Sequence, residues 1–318
     1  MPPFLFISVG AGLLSAVLYG SAASGSALSI IPVYLSPLPL FMAGLAYGGV
    51  CVHIAGAVGT LAITLAGGPQ LAIAYFVVNA AAPMLLCHVA AWSREVLADD
   101  GQTKIEYYPA GLLFAWLCGL GIAIMVLLAI YMQTAEDGLE AWIPRILQVD
   151  ILTQTIIQAQ MQTGGVPSDE ADLRHTLIQM ALPGLALFWT LLCIANGVLA
   201  QRLLVRLGRN MRPSPDFLGM YLPQFLIWPL SGGLIMALFP GDIGLLGAVI
   251  ATLALIPYFF LGLATVHVIS HRLAGRGFVL AGLYMLLLIF GWPALLVVGI
   301  GLVEQFANLR LNYAVARP

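Results

Sequence analysis

Charge is what this sequence has least of. Asp, Glu, Lys and Arg make up 8% of its 318 residues, where a soluble domain carries about 25%. So few solvated side chains cannot cover a water-facing surface, which excludes a soluble globular enzyme and a disordered chain. Twelve Lys and Arg against fourteen Asp and Glu leave a net charge of −2, so no basic field is on offer to nucleic acid. Cysteine is nearly as scarce: Cys51, Cys87, Cys118 and Cys193 each lie inside an apolar stretch, with no CxxC. They read as small buried hydrophobes, and the residues imply neither a metal nor a cofactor. Enzyme signatures are missing too. No GxSxG, HExxH or GxxxxGK occurs, so hydrolase, zinc-protease and ATPase readings lack support, and the chain is expected not to be an enzyme. Gly10-Ala11-Gly12 opens like a dinucleotide fingerprint but lacks the third glycine and a preceding strand. No basic residue stands before the first apolar run, which argues against a cleaved secretory signal.

What is present is apolar length. A helix crossing the hydrocarbon layer needs about 20 mostly apolar residues. Residues 4–21, 70–92, 109–131, 176–200, 217–239 and 243–268 meet that need. Residues 31–66 are too long for one span and carry Pro32, Pro37, Pro39, Gly44, Gly48 and Gly49, so two short helices are expected to meet near residues 47–49. Residues 278–310 are similarly long, with Gly291-Trp292-Pro293 in the middle, and read as one tilted helix or a hairpin of two. The expected fold is an all-α polytopic bundle of about 8–10 membrane helices, several short or broken by Pro and Gly. Its divisions are an N-terminal bundle (1–132), an external polar segment (133–175) and a C-terminal bundle (176–318).

Arginines set the expected threading, because Lys and Arg near span ends stay cytoplasmic. Arg202, Arg206, Arg209 and Arg212 cluster between two spans and mark that loop as internal, where they also meet anionic lipid heads. His271, Arg272 and Arg276 mark the next internal loop, and Arg94 and Lys104 an earlier one. The segment 133–175 carries only Arg145 and Arg174 beside Glu136, Asp137, Glu140, Asp150, Asp169, Glu170 and Asp172, and reads as external. Arg310 and Arg317 belong inside, which favours a break at 291–293. The expected location is a bacterial inner membrane, with the N-terminus cytoplasmic and the lipid bilayer as principal partner. Trp92, Tyr107, Tyr108 and Tyr131 sit at span ends as interfacial anchors do. Within residues 141–161, Trp142, Ile143, Ile146, Leu147, Val149, Ile151, Leu152, Ile156 and Ile157 recur at helical spacing. They predict one amphipathic helix with Pro144 in its first turn.

Polar groups inside the apolar runs are few, and each is costly there. His53, His88 and Asn79 are the candidate ligand-binding residues; hydrogen bonding between helices is the competing reading. Asn196, Gln224 and His267 have similar surroundings. Glu304 is expected to satisfy itself at the interface together with Arg310. Without a chain of embedded ionisable groups, an ion-coupled antiporter is disfavoured. Gly44 and Gly48 form a GxxxG that packs helices closely or opens a cavity, and Gly299 and Gly301 a tighter GxG.

Several motifs resemble a known family. The run from Leu199 to Gly208 (LAQRLLVRLG), Arg212-Pro213-Ser214-Pro215, Leu222-Pro223 and the ending from Gly301 to Arg310 (GLVEQFANLR) resemble the YybS-like uncharacterised bacterial membrane proteins. Asn308 stands where a second acid would be equally at home. The N-terminal part, with Pro37, Pro39, Gly44 and Gly48 before Gly67-Gly68, is similar in style to the substrate-binding components of energy-coupling-factor transporters and to the rod-shape protein MreD. The residues and the resemblance together leave two alternatives. One is a small-molecule-binding transporter component without its own ATPase, coupled to a cytoplasmic partner and holding its ligand in a closed, polar-lined cavity of roughly 300 Å³ or more among the broken N-terminal helices, His53, Asn79 and His88. The other is a scaffold for cytoplasmic or envelope proteins that transports nothing.

Overall fold

The computed structural model describes residues 3–97, 103–135, 138–163, 168–271, 273 and 275–310. Met1, Pro2, Glu136, Asp137, Arg272 and Arg317 lie outside the described residues. In chain order the helices are α1 (Pro3–Gly20), α2 (Ile30–Tyr34), α3 (Leu38–Tyr47), α4 (Gly49–Tyr75) and α5 (Ala81–Ala90). A hairpin of β1 (Ser93–Leu97) and β2 (Thr103–Tyr107) follows, then α6 (Ala110–Ala135), α7 (Leu139–Leu147), α8 (Val149–Gln162) and α9 (Glu170–Arg206). The chain closes with α10 (Ile227–Met236), α11 (Gly241–Ser270), α12 (Arg276–Phe290) and α13 (Pro293–Ala307). Among the described residues, six helical runs are long and apolar enough to cross a membrane. They are Phe4–Ser24, Ala27–Tyr47, Gly49–Ala90, Ala110–Thr134, Glu170–Arg206 and Gly241–Ser270. Gln224–Met236, Arg276–Phe290 and Pro293–Ala307 are shorter apolar helices. The fold is therefore an all-α polytopic helix bundle.

Two compact units form, Met1–Leu117 with Trp189–Tyr221, and Cys118–Phe188 with Leu222–Pro318. In the first, glycines turn the chain. Gly48 (φ 90°) ends α3, and Gly68 (φ 84°, ψ 175°) interrupts α4 just before Pro69. Only glycine holds such angles without strain, and proline is well placed to restart a helix. The 42-residue run Gly49–Ala90 thus doubles back as an antiparallel hairpin. Its arms meet where His53 faces His88, Gly56 faces Met84 and Gly59 faces Tyr75. A buried polar relay ties the hairpin to its neighbours. Tyr75 donates to Ser15 Oγ at 2.8 Å, Ser15 to the Ser36 carbonyl at 2.6 Å, and Ser36 lies 2.5 Å from Asn79 Oδ1. Asn79 sits in a π-helical turn, Phe76–Ala80, with its Nδ2 buried and unpartnered.

In the second unit α11 is the central element. It packs on α10 through Gly233 and Gly247, and on α13 through Gly262 and Gly301, where backbone meets backbone. Asp242, in the first turn of α11, caps α7: its carboxylate accepts the Leu139 N–H at 2.9 Å and the Glu140 N–H at 2.8 Å. Gly138 precedes that cap at φ 103°, and a Cβ there would run into the same carboxylate. Asp242→Ala is expected to lower stability by about 1–2 kcal/mol through the lost cap. Gly138→Ala should cost at least as much, from strain and clash together. Thermal unfolding in detergent measures both, and an unchanged midpoint for either would contradict the geometry.

Several sequence expectations need correction. The span expected over 217–239 is shorter, Gln224–Met236. Asp216 accepts the Leu218 and Gly219 N–H groups in a turn, and Pro223 is extended, so residues 217–223 are not helical. The external amphipathic helix is two, α7 and α8, because Gln148 takes a left-handed conformation (φ 50°) between them. Pro144 lies in the second turn of α7 rather than the first. Ile143, Val149 and Ile157 are buried, whereas Ile151 and Leu152 are exposed. The loop holding Arg94 and Lys104 forms the β-hairpin, with Ser93 opposite Tyr107 and an exposed Arg94–Glu106 pair at 2.7 Å. The break that the sequence favours in 278–310 is present, with Gly291 (φ 67°) separating α12 from α13.

Candidate functional site

A cleft of about 280 Å³ opens in the first unit between α3, α5, the start of α6 and the end of α9. Each helix presents one apolar stripe to it: Phe41 from α3, Cys87 and Ala90 from α5, Phe114 from α6, Cys193 and Gly197 from α9. Gly44 allows α3 to approach closely, since it lies directly against Cys87, and Gly197 leaves room beside the Phe41 ring. The segment after α9 lines the cleft with Arg212, Ser214, Pro215 and Phe217, and Phe217 meets Phe114 edge-on at 6.5 Å. Gln201, Arg202, Arg212 and Ser214 are its polar side chains.

Arg212 is the unusual group. It is 7% exposed. Its Nη1 donates to the Ala90 carbonyl at 3.0 Å, one of the carbonyls left free at the end of α5. Nη2 reaches the Tyr108 carbonyl at 3.4 Å, and the guanidinium lies 5.8 Å from the Tyr107 ring centroid, a cation–π distance. The Arg212 main-chain carbonyl accepts from Gln201 Nε2 at 3.1 Å and from Asn210 Nδ2 at 2.8 Å. Buried Nε has no partner. Burial pushes the Arg212 pKa down, and the nearby Tyr107 opposes this. Arginine nonetheless stays protonated in proteins.

A second recess of about 240 Å³ shares Arg212 and Ser214 with the cleft and carries Glu106 and Asp216. Both acids are engaged elsewhere, Glu106 with Arg94 and Asp216 with its own turn. Among the described residues no carboxylate lies within ion-pair distance of Arg212.

The residues singled out in the sequence divide among different places. His53 and His88 do meet, with ring centroids 5.3 Å apart, and His53 Nδ1 donates to the Gly49 carbonyl at 2.6 Å. The stack continues to Trp92 at 5.9 Å and on to Tyr108 at 5.6 Å, whose hydroxyl accepts from Trp116 Nε1 at 2.9 Å. Both histidines are exposed and neither lines the cleft. Successive helical residues point about 100° apart, so Cys87 faces the cleft while His88 turns away. Asn79 belongs to the buried relay, about 13 Å along the helix from His88. Gly44 makes a helix contact, whereas Gly48 makes a turn. Arg202, Arg206 and Arg209 are exposed, and Arg212 alone of the four is buried. Glu304 is buried, and Arg310 folds back onto it at 2.7 Å. Asn196 donates to the Tyr34 and Leu192 carbonyls, both at 2.9 Å. Sequence reasoning missed the cleft because its walls are ordinary apolar residues. The available signal was Arg212-Pro213-Ser214-Pro215, an arginine fixed in proline-stiffened, non-helical chain next to a span. Among the described residues no three His, Cys, Asp or Glu side chains are grouped to hold a metal.

Comparison with known proteins gives a family. The model of the predicted membrane protein family DUF2232 matches residues 13–304, and the chain belongs to that family. No curated protein matches. No solved structure matches either.

Proposed function

We propose that this member of the DUF2232 family is the small-molecule-binding component of a bacterial inner-membrane transport system, and that it binds rather than transforms its ligand. The observation that carries this reading is the cleft between α3, α5, α6 and α9, whose 280 Å³ is close to the lower end of ligand pockets, about 300 Å³. Apolar walls with a few grouped polar side chains are the usual lining of such sites. The likeness of the N-terminal part to energy-coupling-factor binding components points the same way. Lacking an ATP-binding motif, the protein would draw energy from a cytoplasmic partner, with its N-terminus and Arg202, Arg206 and Arg209 on the cytoplasmic side.

Native mass spectrometry of the full chain in mild detergent tests this. The expected result is a retained small molecule that is lost in Gly197→Leu. A Cβ at Gly197 would meet Phe41 only at an ordinary 3.6 Å, so the added side chain fills the cleft without breaking the helix. Wild type that retains nothing, or a ligand indifferent to this substitution, would refute the reading.

A scaffold role is the second reading, favoured by α12. This helix is apolar all round and buries no residue, with Phe278 and Leu288 the most exposed, a surface that lipid or a partner helix must cover. Partners co-purifying with wild type and lost when α12 is replaced by polyalanine would favour it.

A further inference from the structure

Resting on the reading of the cleft as a ligand site, we infer that it takes an amphiphile with an anionic head, a carboxylate or phosphate received by Arg212 and Arg202 while its alkyl chain lies among α3, α5, α6 and α9.

Three observations carry this. First, the charged side chains lining the cleft are Arg202 and Arg212, and no Asp or Glu lines it, so its field has one sign. Cationic ligands are disfavoured there and anions drawn in. Second, Arg212 is a buried cation without a counter-ion among the described residues. Of its five N–H donors, the carbonyls of Ala90 and Tyr108 take one each, and Nε has no acceptor. Buried charges are normally paired, and the two nearby acids, Glu106 and Asp216, are already held by Arg94 and by a backbone turn. The planar guanidinium fork matches a carboxylate or phosphate, and Ser214 and Gln201 in the same lining add neutral hydrogen-bonding groups. Third, the rest of the lining is aliphatic, aromatic or thiol: Phe41, Leu45, Leu86, Leu113, Phe114 and Cys193. Such walls favour a hydrocarbon chain and offer nothing to a sugar or a nucleobase edge.

The head group has two possible sources, a bilayer phospholipid and a free amphiphile, and the test separates them. Full-length protein in mild detergent is titrated with decanoate, decyl phosphate and the neutral decanol, and binding is read by native mass spectrometry. In parallel, protein is recovered from nanodiscs of phosphatidylglycerol or of phosphatidylcholine and analysed for retained lipid. Wild type is expected to prefer the anionic probes to decanol by about tenfold or more, the scale of a charged hydrogen bond. Retained phosphatidylglycerol assigns the bilayer as source; binding of the free probes alone assigns a free amphiphile.

Arg212→Gln should remove most of the preference while leaving decanol binding unchanged, and Arg212→Lys should restore part of it. Arg202 is exposed, so Arg202→Gln is a second probe should Arg212→Gln not fold. Equal binding of decanoate, decyl phosphate and decanol to wild type overturns the inference. So does an undiminished preference in every substituted protein that folds. If decanol binds as well as the anions and Gly197→Leu abolishes both, the anionic head is wrong and the ligand cleft stands. If no probe or lipid binds, the cleft reading itself fails.

Discussion

Gly301→Leu is expected to destabilise the second unit by about 3 kcal/mol or more, at the upper end of overpacking costs, while Gly299→Leu, two residues away, leaves it as stable as wild type or slightly more so. The contrast follows from what each glycine faces. A Cβ at Gly301 would enter the Tyr258 carbonyl and crowd the Gly262 amide, whereas one at Gly299 meets nothing within 4 Å. Gly262 has the reciprocal constraint, facing the Val297 carbonyl. Backbone on both sides leaves no flexible side chain to yield, so α11 and α13 would have to separate along their whole contact. At the open position, exchanging glycine for leucine gains up to about 1 kcal/mol of helix propensity. Thermal unfolding of the three proteins in one detergent gives the answer. Equal midpoints for Gly299→Leu and Gly301→Leu would mean that the α11–α13 contact does not form as described.

The same pair shows how far the sequence could be read. Gly299 and Gly301 are indistinguishable as residue types, and only the rotation of α13 relative to α11 decides which one packs. Span positions were legible because twenty apolar residues have few uses other than crossing lipid. The breaks at Gly48 and Gly291 were legible because Gly and Pro announce them. The break at Gln148 was not, since a non-glycine residue in a left-handed conformation carries no compositional mark. The five-residue strands of the β-hairpin were too short to raise a periodic signal within a polar loop. The 217–223 segment kept its apolar composition while Asp216 and Pro223 held it out of a helix.

The cleft failed to show for a related reason. His88 draws notice as a polar residue in an apolar run, but its neighbour Cys87 is the one that lines the cavity. The arginine cluster was counted for threading, a rule that weighs charges without regard to burial. Three of those arginines are exposed, and the fourth is the buried cation of the cleft. Residue type identifies costly groups; which of them converge depends on helix rotation and on irregular chain, and neither is written locally.

Arg310→Ala is the other substitution expected to act strongly, because of what it leaves behind. Glu304 is 4% exposed. Its Oε1 accepts from Arg310 Nε at 2.7 Å and its Oε2 from the Arg310 backbone N–H at 3.1 Å. The chain returns to the carboxylate because Asn308, left-handed at φ 49°, caps α13 with its N–H on the Glu304 carbonyl at 3.0 Å. Asn is among the few non-glycine residues that adopt this conformation readily. Removing the guanidinium leaves the buried carboxylate without its cation, held only by the backbone N–H, which costs up to about 3–5 kcal/mol. Replacing both partners with leucine should return most of that loss, since a buried ion pair contributes little net stability over apolar residues of similar volume. The double-mutant cycle of wild type, Glu304→Leu, Arg310→Leu and the pair separates coupling from simple loss of packing. A double variant that loses the sum of its two single losses would show the charges to be energetically independent. An Arg310→Ala protein as stable as wild type would show that Glu304 reaches water or lipid head groups and does not depend on this arginine.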